Sequence, residues 1–330
     1  MLIICIFAKF LKMIIGTDIE KAAEIIRNGG LVAFPTETVY GLGANALNTI
    51  AVAKIFEVKE RPTFDPLIVH IANIEKVSEL TQNVDKRVYD LATKFWPGPL
   101  TIVLPKKDII QDIVTSGLGS VGLRMPNNNI ALELIRRANC PIAAPSANKF
   151  GRISPTTASH VAKQNMNIDY IIDGGSTTVG IESTVITLLD DGFVILRNGF
   201  ITEDDLQKIV PKSKNVNKQE ISKLSPGNVD SHYSPSKPLY IVGQFSKTID
   251  KSKAAFVAFR KDNIIDFDYK VVEYLTQNGD LKEAAVNFFS ILHKLEDCDV
   301  ENIVIESVPE TSIGKAIMER MRKAAFRYLT

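Results

Sequence analysis

The 330-residue chain is predicted to form two α/β domains, a larger one on a curved, largely mixed or antiparallel sheet and a smaller one of Rossmann-like type. Three observations predict this. The length exceeds what a single hydrophobic core usually serves. From residue 13 to about residue 210, apolar strand runs outnumber helical patterns, and their irregular spacing speaks against a regular parallel sheet. Residues 211–237 are polar and interrupted by prolines, which reads as a linker, and beyond them strand and helix patterns continue through residues 238–330.

Taken in order, Thr17 or Asp18 can cap a helix whose apolar positions Ile19, Ala22, Ala23, Ile25 and Ile26 follow a 3.6-residue period, with Gly29 and Gly30 to end it. LVAF is a short buried strand cut by Pro35, and AVAKIFEVK is a helix reached through the glycine-containing segment VYGLGANAL. LIVHI is a strand and VDKRVYDLATKFW a helix; LTIVLP, SVGLRMP, PIAAPSA, YIIDGG, STVITLL and FVILRNG are strands with tight ends. In the second domain PLYIVG, AAFVAF, KVVEYL and ENIVIESV read as strands, and LKEAAVNFFSILHKLED and KAIMERMRKAAFRYL as helices. Residues 1–12 are apolar for only about ten positions before Lys12, roughly half a membrane span, and lack signal-peptide features; they read as an N-terminal extension.

Composition excludes several function classes. Apolar residues make up 45% and charged residues 23%, enough to bury real cores. A net charge of +1 argues against a generally basic nucleic-acid coat while leaving room for a local basic cleft. Cys5, Cys140 and Cys298 have no metal-type spacing and are too few for a disulfide framework, so a cytoplasmic protein without a tightly bound metal is expected.

Candidate site residues were weighed against simpler readings. GLGANA matches a loose dinucleotide fingerprint, but Pro35 and the polar Thr36-Glu37-Thr38 interrupt the strand that should lead into such a loop. Lys59 and Arg61 flank Glu60 at a helix end and can grip one anion together; cations that merely complement the helix dipole are the alternative. His70 sits inside a strand, as a ligand contact or as a satisfied core histidine. SANKFGRISPT and GGSTTVGIEST follow strands and can aim hydroxyls and backbone N–H groups at phosphate or carboxylate oxygens, or simply make turns. Arg124 and Arg197 interrupt apolar strands, where a charge needs a ligand or a structural partner.

In order along the chain, GGLVAFPTETVYGLGANA, KERPTFDPLIVHI, FWPGPLTIVL, VGLRMP, APSANKFGRISPT, IESTVI, ILRNG and SPGNVDSHYSP resemble the motif series of the YrdC-type threonylcarbamoyl-AMP synthases, and SIGKAIMERMRKAA resembles the closing helix of their two-domain form. The resemblance implies a YrdC-like sheet around a concave, cation-lined cavity and a nucleotidyltransferase that joins L-threonine, bicarbonate and ATP into threonylcarbamoyl-AMP for tRNA modification. By position it implies that Lys59 and Arg61 act catalytically on the ATP phosphates and the reacting carboxylate, and that Thr36, Thr38, His70, Arg124 and Ser183 surround threonine. Asp65, Ser120, Ser146, Asn148, Ser154 and Arg197 would line the ATP side, Asp65 standing where many members have asparagine. His232 and Tyr233 would reach in from a linker that acts as a lid ordered by ligand. Mg²⁺ would accompany ATP, and a tRNA threonylcarbamoyl transferase is the implied downstream partner, with direct RNA contact weak and no membrane role. Two alternatives remain at this point: a non-catalytic RNA-binding protein, and a carbamoyl transferase of the hydrogenase-maturation type, which would need cysteine motifs that this chain lacks.

Overall fold

The computed structural model describes residues 14–216, 232–246, 248–262 and 268–326. The predicted N-terminal extension and most of the predicted linker lie outside the described residues. Ten strands build the larger sheet: β1 (Ile14–Gly16), β2 (Val32–Phe34), β3 (Gly41–Asn45), β4 (Ile68–His70), β5 (Leu100–Pro105), β6 (Ser120–Arg124), β7 (Ile142–Ala143), β8 (Tyr170–Ile172), β9 (Thr184–Leu189) and β10 (Gly192–Arg197). Their order is β1-β8-β2-β3-β7-β4-β6-β5-β9-β10. Parallel pairs (β1/β8, β2/β8, β4/β6, β5/β9) alternate irregularly with antiparallel ones, so the sheet is mixed, as the uneven strand spacing predicts.

Around it lie α1 (Ile19–Arg27), α2 (Thr49–Lys59), α3 (Lys76–Leu80), α4 (Lys86–Phe95), α5 (Asp112–Thr115), α6 (Asn129–Ala138), α7 (Ala158–Ala162) and α8 (Glu203–Gln207). Asp18 caps α1 by accepting from the Lys21 amide at 3.0 Å, and α1 and α6 share an apolar cluster with β2 and β8. The periodic reading finds α1, α2 and α4 but omits α6, whose NIALELIRRA pattern is a regular amphipathic one, and the four- and five-residue helices that tertiary contacts support.

The glycine-containing segment 41–45 is a strand instead of a connection. A side chain at Gly43 would stand 2.7 Å from both Ile142 Cγ2 and Phe34 Cε1, so this glycine serves close strand packing and not a phosphate-binding loop.

The smaller sheet, β11 (Leu239–Ile241), β12 (Ala254–Arg260), β13 (Val271–Thr276) and β14 (Asn302–Ile305), is all parallel in the order β11-β14-β12-β13. Helices α9 (Leu281–Asp297) and α10 (Gly314–Ala325) complete the predicted Rossmann-like unit. The two domains are not separately packed. One apolar cluster joins Val39, Ile153, Val179 and Ile181 of the first domain to the helices and strands of the second. Among the described residues no helix is long and apolar enough to cross a membrane.

Candidate active site

A cleft opens where the strands of the larger sheet end, and ten of the predicted site residues line it: Thr36, Thr38, Arg61, His70, Arg124, Ser146, Ser183, Arg197, His232 and Tyr233. Strand topology explains the convergence. β4 and β6 are parallel with His70 opposite Arg124, so both side chains leave the sheet at the same carboxyl-terminal edge, where ligands of α/β sheets bind. The turn after β2 supplies the two threonines. Thr36 Oγ1 donates to the Val39 carbonyl at 2.6 Å and accepts from the Thr38 and Val39 amides at 3.2 Å, which holds the PTET turn rigid.

Arg124 is buried and already has a protein partner. Its Nη2 lies 2.8 Å from Glu37 Oε1 and donates to Thr38 Oγ1 at 3.0 Å, while its buried Nε has no protein acceptor. Arg197, buried at the end of β10, donates from Nε and Nη2 to the Ser183 carbonyl at 3.1 and 3.0 Å, and burial pushes its pKa down. Arg61 pairs with Asp65 at 2.9 Å and donates to the Asp65 and Pro66 carbonyls; burial lowers its pKa too, against the opposing pull of Asp65.

Lys59 and Arg61 are not the solvated surface cations that the helix-dipole alternative implies, for both are buried. Lys59 is 1% exposed and Arg61 8% exposed, because Glu60 takes a left-handed conformation (φ 53°) that ends α2 and turns the chain inward. The two cations do not grip a common point. Lys59 Nζ donates to the carbonyls of Ser146 and Asn148 and lines a separate polar recess with Glu60, Lys149, Phe150, Gly151, Arg152 and Ser234. Desolvation, reinforced by Arg61, holds the Lys59 pKa well below its ordinary value.

Four further predicted residues stand behind the cleft wall. Asp65 is committed to Arg61. Ser120 lines a small neighbouring cavity behind Pro66 and Ile68. Asn148 donates to the Lys149 and Arg152 carbonyls, and Ser154 donates to Glu182 Oε1 at 2.5 Å.

His70 and His232 are buried with their Nδ1 atoms unpartnered, and burial drops the His70 pKa to about 3 and the His232 pKa well below its ordinary value. Both imidazoles are therefore neutral at neutral pH. The resemblance brings His232 and Tyr233 in from a lid ordered by ligand; the structure gives both residues protein partners. His232 donates its amide to the Lys323 carbonyl and meets the Phe150 ring edge-on at 5.6 Å, and Tyr233 lies against Phe289.

Glu37, Glu182 and Arg320 were not singled out from the sequence, yet they organise the site: Glu37 holds Arg124, and Arg320 of α10 reaches Glu182 in the cleft wall at 3.1 Å. Glu37 lies in the polar PTET turn, Glu182 at the polar end of GIEST and Arg320 in the charge-rich MERMRK stretch of a helix, so none of the three carries the signal that flags Arg124 and Arg197, a charge inside an apolar strand.

Comparisons with known proteins match both domains. The family model described as "Telomere recombination" (Sua5, YciO and YrdC) matches residues 24–199, and the one described as "Threonylcarbamoyl-AMP synthase, C-terminal domain" matches residues 201–326. The chain is 41% identical to the threonylcarbamoyl-AMP synthase of Bacillus subtilis, with 93% of each chain covered. It is also 41% identical to that of Pyrococcus abyssi, with 93% of this chain and 94% of the relative covered. The solved structure of P. abyssi Sua5 complexed with L-threonine superposes with a TM-score of 0.82 at 38% identity, covering 96% of this chain and 98% of that one. A variant of the same protein with a neighbouring histidine and tyrosine both replaced by alanine gives a TM-score of 0.80. The chain belongs to the threonylcarbamoyl-AMP synthase family, and it carries both of that family's domains.

Proposed function

We propose that this cleft is where the synthase joins L-threonine, bicarbonate and ATP into threonylcarbamoyl-AMP and pyrophosphate, with threonine against Thr36, Thr38, His70, Arg124 and Ser183. ATP lies across Arg61, Ser146, Arg197, His232 and Tyr233, and Lys59, Asp65, Ser120, Asn148 and Ser154 support that side from behind. One observation carries the reading: buried polar atoms of cleft residues, Arg124 Nε, His70 Nδ1 and His232 Nδ1, have no protein partner. Buried polar atoms are rarely left so, and a ligand with carboxylate, hydroxyl and phosphate groups satisfies them.

The chemistry explains the charge arrangement. Threonine carboxylate, bicarbonate and triphosphate repel one another, and Arg61, Arg124 and Arg197 offset that repulsion in a site sheltered from water. Burial already disfavours the charged forms of Arg61 and Arg197, so an anion brought between them regains what desolvation costs. The threonine amine attacks the bicarbonate carbon, a C–O bond breaks and water leaves with the amine's proton to give the N-carboxylate (carbamate), and a carbamate oxygen then attacks the α-phosphorus and expels pyrophosphate. Positioning and charge stabilisation carry such a transfer without a protein nucleophile. Neutral His70 presents an acceptor to the threonine side without adding charge.

Mg²⁺ enters as part of the MgATP substrate, where its charge offsets that of the phosphates. The division of labour follows the domains: residues 13–210 catalyse, 211–237 connect, and 238–330 buttress. The product is a reactive anhydride, and its cytoplasmic consumer is a tRNA threonylcarbamoyl transferase. Incubation with threonine, bicarbonate and MgATP should release pyrophosphate only when threonine is present. Pyrophosphate release indifferent to threonine would reject the reading.

A further inference from the structure

The second domain reaches into the wall of the cleft through one buried cation. Arg320 on α10 is 0% exposed, and its Nε lies 3.1 Å from Glu182 Oε2. Its Nη1 donates to the Asn198 carbonyl, next to Arg197, and to the Ala316 carbonyl of its own helix at 3.3 Å. The guanidinium stands 5.7 Å from the centre of the Tyr233 ring. Glu182 and Tyr233 both line the cleft. The other Glu182 oxygen accepts from Ser154 Oγ at 2.5 Å, and the Ser154 carbonyl is met by His293 of α9 at 3.1 Å. One face of the cleft is thus assembled against α9 and α10.

We infer that Arg320 is a positioning residue for catalysis, through which the second domain aims Glu182, Ser154 and Tyr233 at the ATP side of the cleft. This inference rests on the proposed ATP side. A bare Glu182 carboxylate in a cleft that takes three anions would repel them, so it must be compensated; of the charge partners in the structure, Arg320 makes the closest approach to it. Compensation alone could come from any nearby cation. The arginine does more, because its rigid fork spans Glu182 on one edge and the Asn198 carbonyl on the other while its face covers an aromatic ring. Those contacts fix the relative positions of three segments that are far apart in sequence: 182–183, 197–198 and 233.

The test uses the full chain. Arg320→Met alone leaves Glu182 buried without its countercharge and can lower stability for that reason only. Arg320→Met combined with Glu182→Gln removes both charges and should restore thermal melting close to that of the parent. In that folded double variant the KM for ATP should still rise tenfold or more, while the threonine KM stays within about twofold, because Ser154 and Tyr233 have lost their anchor. Arg320→Lys, which keeps the charge but not the fork, should fall between the parent and Arg320→Met in its ATP KM. A double variant with the parental ATP KM would overturn the inference and leave Arg320 a neutraliser of Glu182. Arg61→Gln, titrated with ATP by calorimetry, separates the two claims: if its ATP affinity is unchanged, the ATP reading of the cleft fails together with the inference.

Discussion

Arg124 and Glu37 lie 2.8 Å apart with side chains 5% and 4% exposed, and their pairing sets what a substitution does. Arg124→Leu should weaken threonine far more than ATP and also lower stability, because it strands a buried carboxylate at a cost on the order of 3–5 kcal/mol. Adding Glu37→Leu should restore melting but not threonine binding. Calorimetric titration of each ligand checks the split, and equal weakening of both would make Arg124 a shared or purely structural residue. Lys59→Ala and Arg61→Ala should each abolish product formation. The surface reading expects an unchanged fold, but burial of both cations makes a lower melting temperature the expected companion of lost activity. Pyrophosphate release and thermal melting on the same samples decide this, and a variant that keeps full turnover removes its residue from the site.

At the scale of elements, the contact between the 174–184 loop and α9 is set by a glycine. Gly180 has φ +78°, and a side chain there would stand 2.5 Å from the Ala285 carbonyl oxygen and from Val286 Cα, both backbone atoms that cannot step aside. Gly180→Ala should therefore cost more than the usual glycine replacement and lower melting by several degrees, since strained backbone and steric overlap add. Because Glu182 lies two residues on, the same variant should raise the ATP KM. Differential scanning calorimetry and substrate kinetics check both parts, and a neutral Gly180→Ala would show that the loop can part from α9 without consequence. The strands other than β1 and the long helices other than α6 are legible from apolar periodicity, whereas β3 reads as a connection because its glycines mask a strand pattern. The commitment of Lys59 to the Ser146 and Asn148 carbonyls was not legible, because it depends on where a segment 87 residues away returns to the sheet.

Across the whole molecule, all four histidines are held neutral. Burial lowers His70 to about 3, His160 and His293 to about 4, and His232 well below its ordinary value. His160 and His293 also stack on each other across the domain contact, with ring centres 3.9 Å apart. An unfolded histidine takes up its proton near pH 6.5, so between about pH 6.5 and 4 the unfolded chain binds more protons than the folded one. Stability is thus fully present above pH 6.5 and is lost as pH falls toward 4. Urea unfolding at pH 7.5, 6.5, 5.5 and 4.5 should give midpoints that fall at each step below 6.5, and a flat profile over this range would contradict the burial of these rings. Replacing His160 and His293 together by asparagine should flatten part of the slope, since two of the four proton-binding differences disappear.

The sequence by itself determined the strands apart from β1 and β3, the long helices apart from α6, the two-domain order and the family, because these follow from local periodicity and from the order of the motifs. It also singled out ten of the residues that line the cleft, since cations and hydroxyls inside apolar runs have few structural uses. Only the tertiary structure decided how those residues are paired. Glu37 against Arg124 and Glu182 against Arg320 are ion pairs between residues remote in sequence, the latter spanning the two domains, and spacing could not match them; Asp65 and Arg61 are near neighbours, but the chain's turn after α2 is what brings them together. Burial is a property of the assembled surface, and so are the lowered histidine pKa values and the cleft wall shared with α9 and α10. They depend on which segments exclude water together, a quantity that no single stretch of chain contains.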